Sequence, residues 1–182
     1  MTNRVWPRNR SKWLIVLLVV QVLFLAAIAG IHYSTLWFGK EIRLQTVPVD
    51  PRDLLYGDYV QLNYDINRVP LSLRQETGDK PKSGDRIYVV LQENQSDGIY
   101  RAKAVASRKP SLSVGQIMLK GRVEYADDDA IRISYGIERY YVKENTGKEL
   151  EKQAGNLVVK VKTSAWGSPV IEDITAGSKS EQ

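Results

Sequence analysis

The sequence predicts a mainly β domain carried behind one N-terminal transmembrane helix, and three features predict it. Residues Trp13 to Gly39 contain no Asp, Glu, Lys or Arg over 27 positions. From Glu41 onward the apolar spacing changes from helical to alternating, and β-branched residues take over from the leucines. Nine of the ten tyrosines fall in this later part, whereas both phenylalanines fall in the uncharged run.

As a helix rising about 1.5 Å per residue, the uncharged run reaches roughly 40 Å, more than a hydrocarbon core of about 30 Å. Trp13 at one end and Tyr33, Trp37 and Phe38 at the other suit the two interfaces, where an aromatic ring keeps its body in lipid and its polar edge among headgroups. Arg4, Arg8, Arg10 and Lys12 precede the run, and positive charge resists translocation. The expected organisation is a cytoplasmic basic tail over 1–12, an anchor over 13–38, an extracytoplasmic domain over 40–175 and a disordered tail over 176–182. The lipid bilayer is thus the first expected partner. A cleavable signal is the alternative, since Ala27-Ile28-Ala29 before Gly30 fits a cleavage site. Apolar and aromatic character continues past that point, which favours the anchor, and both readings export the same domain.

The net charge of +5 is mainly a property of the tail. From position 40 onward 22 basic residues face 21 acidic ones, a balance that gives no nucleic-acid footprint, so no nucleic-acid partner is expected. With no cysteine the chain makes neither a disulfide nor a thiolate metal site.

Within the domain, Ile42, Leu44 and Thr46 alternate with Glu41, Arg43 and Gln45, the pattern of a strand with one wet face. Strands are also predicted over 58–66, 85–92, 99–107, 116–125, 130–137 and 157–163. Ile87 to Leu91 is apolar on both faces and reads as a central strand. Ile117, Leu119, Val123 and Tyr125 share one face, as do Ile131, Ile133, Tyr135 and Ile137, and the polar turn Ala126 to Asp129 makes these two strands a hairpin. A short helix over 147–154 is predicted from the capping pair Thr146 and Glu149 and from the stop at Gly155-Asn156. About seven strands and one helix, with no dividing linker, indicate a compact β-rich domain, an open barrel or a sandwich.

Two stretches carry more polar and aromatic groups than a core strand requires. The first runs through Arg52, Asp53, Gly57, Asp58, Tyr59, Leu62 and Tyr64, and the second through Tyr135, Gly136, Glu138, Arg139 and Tyr140. In the first, Gly57 and Asp58 suit a turn feeding a strand, with Val60, Leu62 and Tyr64 on its core face and Tyr59, Gln61 and Asn63 opposite. In the second, Gly136 suits a bulge, and Glu138, Tyr140 and Val142 share a face. A working Glu138 would need a partner from another strand, Arg52 being one candidate. Together the stretches are expected to form one surface.

The spacing Gly57-Asp58-Tyr59, Leu62, Tyr64 closely resembles the signature of the GDYXXLXY proteins, a bacterial membrane-anchored family. The stretch Tyr135 to Glu144, followed by Gly147 to Glu151, is similar to that family's later motif, and the resemblance covers roughly residues 12–175. It implies an N-terminal anchor, an extracytoplasmic domain and association with multi-pass membrane proteins. It implies no activity.

The chemistry left open is narrow. The only histidine, His32, falls at the outer end of the apolar run, so histidine triads and histidine metal sites are excluded from the domain. Asp127-Asp128-Asp129 lacks the spaced ligands and glycine of a calcium loop and reads as a solvated turn; no metal and no cofactor is expected. Glu138 with Asp50, Asp53 or Asp58 could form a carboxylate pair, though its separation is not written in the sequence. The expected role is a non-catalytic module that binds a membrane-protein partner or an envelope ligand. The alternative is an anchored Ser-Lys hydrolase like a signal peptidase in architecture, with Ser34 as nucleophile, although Thr35-Leu36-Trp37 lacks the sequence context of those peptidases.

Overall fold

The computed structural model describes residues 8–48, 59–74, 76, 79–141 and 157–176. Its one α-helix among those residues, α1 (Arg8–Phe38), begins inside the basic tail. From Trp13 to Phe38 its described large apolar side chains face outward, except Leu36, which is half-buried. It is long and apolar enough to cross a membrane, as an anchor or a signal sequence also is.

Ten strands follow among the described residues: β1 (Lys40–Gln45), β2 (Tyr59–Gln61), β3 (Arg68–Pro70), β4 (Arg86–Glu93), β5 (Tyr100–Ala106), β6 (Gln116–Ala126), β7 (Ala130–Ser134), β8 (Arg139–Tyr141), β9 (Leu157–Thr163) and β10 (Pro169–Ala176). They pair as β1-β9-β10, β2-β8 and β3-β7-β6-β4-β5. Bridges between Thr46 and Tyr64 and between Arg74 and Val105 help join these groups into a nearly closed, barrel-like sheet. The mainly β domain behind an N-terminal apolar helix is therefore as the sequence predicts, and closure favours the barrel over the sandwich. One core fills it, from Ile42 and Leu44 of β1 through Val89 and Leu91 of β4 to Val159 and Val161 of β9. β4 has strands on both sides, as its apolar run requires.

Several local expectations are corrected, each for a visible reason. The strand over 58–66 stops at Gln61, and a 3-10 turn occupies Asp65–Asn67. Asn67 imposes that turn: its Oδ1 accepts the Tyr64 amide at 2.6 Å while its own amide donates to the Tyr64 carbonyl at 2.9 Å. The strand over 130–137 ends at Ser134, because Gly136 takes φ +82° and turns the chain instead of bulging it. Tyr125 is exposed, not core, since a register shift between Val123 and Tyr125 rotates it to the wet face. β10 has no counterpart among the predicted strands: its register shift between Ile171 and Asp173 puts Ile171 and Ile174 three apart, which hides the alternation. It also takes in Ala176, the first residue of the expected tail. The helix expected over 147–154 lies outside the described residues.

Candidate functional site

The two motifs, about 70 residues apart, are hydrogen-bonded neighbours. β2 pairs antiparallel with β8, setting Tyr59 opposite Tyr141, Val60 opposite Tyr140 and Gln61 opposite Arg139. The ladder continues one step further, where the Leu62 amide donates to the Glu138 carbonyl at 2.8 Å. Leu62 and Tyr64 are fully buried, so the core face is as the alternation indicates.

Below this pair the chain braces itself reciprocally. The Tyr64 hydroxyl donates to the Ile137 carbonyl at 2.9 Å, and the Tyr135 hydroxyl donates to the Ile66 carbonyl at 2.8 Å. Asn67 completes the brace by donating to the Ile133 carbonyl at 2.8 Å and to Glu138 Oε1 at 3.1 Å. Burial, and after it the negative charge of Glu138, holds both tyrosine hydroxyls well above the usual tyrosine pKa.

Glu138 serves the same junction. Its Oε1 accepts the Tyr135 amide at 2.5 Å as well as Asn67, and its Oε2 accepts the Gly136 amide at 2.8 Å and the Ser134 hydroxyl at 3.1 Å. A carboxylate with both oxygens engaged by four donors fixes a loop. Its observed partners are thus amides and a hydroxyl of its own neighbourhood. Arg52, Asp53, Gly57 and Asp58 lie outside the described residues, and Tyr59 is described in its backbone only. Arg139 is exposed, and Tyr140 is half-buried against the core.

Beside the brace opens a polar groove of about 400 Å³, with Gln61, Asn63, Arg132, Ser134, Glu138 and Arg139 among its walls. Arg132 crosses it, donating to Asn63 Oδ1 at 2.9 Å and lying 3.4 Å from Glu124 Oε2. Glu124, Ser134 and Gly136 also line a second groove of about 530 Å³ whose cations are Arg86, Lys120 and Arg122, so the two grooves share a wall. Gly121 floors the second groove, where a Cβ would collide with Ile133 Cγ2 and lie 3.0 Å from the Ser134 carbonyl oxygen. Arg86 and Arg122 stand directly opposite each other in the β4-β6 ladder. Among the described residues no carboxylate forms an ion pair with either of them or with Lys120, and Arg122 donates only to the Gly84 carbonyl, at 3.1 Å. Two arginines opposed in this way repel, a cost that an incoming anion relieves.

Sequence reading missed the groove residues Asn67, Arg86, Lys120, Arg122 and Arg132. Alternation assigns Arg86, Lys120 and Arg122 to wet faces, but only the register places Arg86 against Arg122. The acidic turn behaves as a solvated one: Asp127 Oδ1 accepts the Ala130 amide at 2.7 Å, and Asp128 pairs with Lys80 at 2.5 Å. Among the described residues every lysine is exposed or half-buried, whereas a Ser-Lys dyad needs a buried one.

An apolar N-terminal helix entering a barrel-like domain, with two distant motifs joined as one strand pair beside an open polar groove, defines a class of β module by its architecture alone. The GDYXXLXY protein family matches residues 21–174, most of the chain, and the protein belongs to that family. No match was found among curated proteins or among solved structures.

Proposed function

We propose that the protein is a single-pass, non-catalytic binding module of the cell envelope. Its N-terminus lies in the cytoplasm, α1 is an uncleaved anchor, and the domain over 40–175 lies outside. There the adjoining grooves take an acidic group presented by a membrane-protein partner or an envelope ligand. The observation that carries this reading is the opposed pair Arg86 and Arg122 with Lys120 beside it, cations without a carboxylate partner among the described residues, next to the strand pair made by both motifs. Arg132 and Arg139 extend the same positive rim. The brace explains Tyr64, Tyr135 and Glu138 as the frame that holds this rim in place, and a rigid frame lowers the ordering cost of binding.

Two measurements test it. Phosphatase and fluorescent-protein fusions at position 182 report orientation: an active phosphatase is expected, and a fluorescent fusion without phosphatase activity overturns the external placement. Affinity isolation of the full chain from crosslinked membranes, wild type beside the double charge reversal Arg86→Glu with Arg122→Glu, reports the groove. Loss of the co-isolated species is expected, and an unchanged set overturns the binding assignment.

A further inference from the structure

One residue, Gly39, separates α1 from β1, and its amide donates to the Thr35 carbonyl at 2.9 Å. Thr35 is itself buried, so the helix runs into the sheet without a linker. An apolar helix from Lys12 to Phe38 is roughly 40 Å long against a hydrocarbon core of about 30 Å. If α1 spans, its last turns lie among headgroups, and the domain surface around Phe38 is held there with them.

That surface is apolar where loops are ordinarily polar. Phe38, Lys40, Leu112, Met118, Thr163 and Ala165 line a hollow of about 240 Å³. Beside it a turn closed by the Gln116 amide on the Ser113 carbonyl at 3.1 Å lifts Val114 to its tip, 104% exposed. The β9–β10 turn is tied to β6 by the Lys120 amide on the Gly167 carbonyl at 2.8 Å, and it presents Trp166, 50% exposed. Turn tips favour Gly, Asn, Asp and Ser, so Val and Trp at two neighbouring tips have no explanation in turn geometry. The helix joins this patch through Phe38, 85% exposed, which lines the same hollow as Leu112 and Ala165.

We infer that Leu112, Val114 and Trp166 form a lipid-docking surface that enters the headgroup layer from which α1 emerges, with Lys40 set to meet lipid phosphates. The inference rests on the anchor reading above. Continuity with the apolar helix surface and the linker-free junction select the bilayer as the occupant.

The chain has no cysteine, so single cysteines can report depth. The full chain, in vesicles of phosphatidylethanolamine and phosphatidylglycerol, is spin-labelled at Val114→Cys, Trp166→Cys, the remote turn position Asp128→Cys or the mid-helix position Val22→Cys. Collisions with oxygen are compared with collisions with a water-soluble nickel chelate. Labels at Val114 and Trp166 are expected to lose most nickel collisions relative to Asp128, and Val22 nearly all. A lipid-shielded Val22 with Val114 and Trp166 as open to nickel as Asp128 overturns the docking surface and leaves the anchor standing. An open Val22 overturns the anchor. Spin-spin broadening between Val114 labels that survives dilution with lipid also overturns the inference, because a second copy then covers the patch.

Discussion

Tyr64 and Tyr135 exchange hydroxyl hydrogen bonds across one junction, each reaching a carbonyl next to the other motif's core: Tyr64 to Ile137 at 2.9 Å and Tyr135 to Ile66 at 2.8 Å. The final tyrosine of the GDYXXLXY signature is therefore a structural cross-brace. Replacing either by phenylalanine keeps the ring and strands a buried carbonyl, at a cost of about 1–3 kcal/mol. Chemical denaturation of the two single variants and the double variant is expected to show a coupling of about 0.5 kcal/mol or more, and strict additivity contradicts a shared brace.

The same two hydroxyls set a pH dependence. Their ordinary pKa is 10.0 and both are raised in the folded chain, so the unfolded state releases these protons first as pH rises. Their contribution is intact below pH 10 and is lost progressively above it, at about 1.4 kcal/mol per pH unit for each tyrosine. Stability measured from pH 8 to 11 should fall along the upper half of that range, and Tyr64→Phe or Tyr135→Phe should flatten the fall. Equal slopes in wild type and variants count against the brace.

Strand phase predicts a contrast within the first motif. Leu62 is fully buried, and Leu62→Ala should cost about 2–5 kcal/mol. Gln61 is exposed on the other face, so Gln61→Ala should stay within about 0.5 kcal/mol. Equal losses would mean that the strand is turned over.

Opposed arginines predict a separation of stability from binding. Arg122→Glu converts a repulsive cross-strand pair with Arg86 into an attractive one, which should raise stability by about 0.2–1 kcal/mol. It should also abolish capture of an acidic ligand. A variant that is less stable, or that still binds, removes the reason given for the pair.

Much of this architecture is legible in the residues. Leu157, Val159 and Val161 announce β9 by alternation, and Leu62 and Tyr64 announce their burial the same way, because a half-buried strand must repeat every second residue. Reading fails wherever one residue breaks that period. The register shift before Tyr125 sends it to solvent, the shift after Ile171 conceals β10, and Asn67 converts a strand end into a 3-10 turn through a side-chain bond. The candidate site was legible as two motifs, since their composition exceeds what a core needs. The groove was not, because Arg86 faces Arg122 and Arg132 reaches Asn63 only through pairings between distant segments.

The central claim is that the motif pair frames a groove that binds an acidic partner outside the membrane. A photo-reactive amino acid at Gln61, exposed on the groove wall, tests it most directly in the full chain within living cells. The account predicts a discrete adduct at Gln61, none from the same probe at the remote turn position Asp128, and loss of the adduct when Arg86→Glu and Arg122→Glu are added to a chain that still folds. No adduct at Gln61, or an adduct indifferent to that charge reversal, would contradict it.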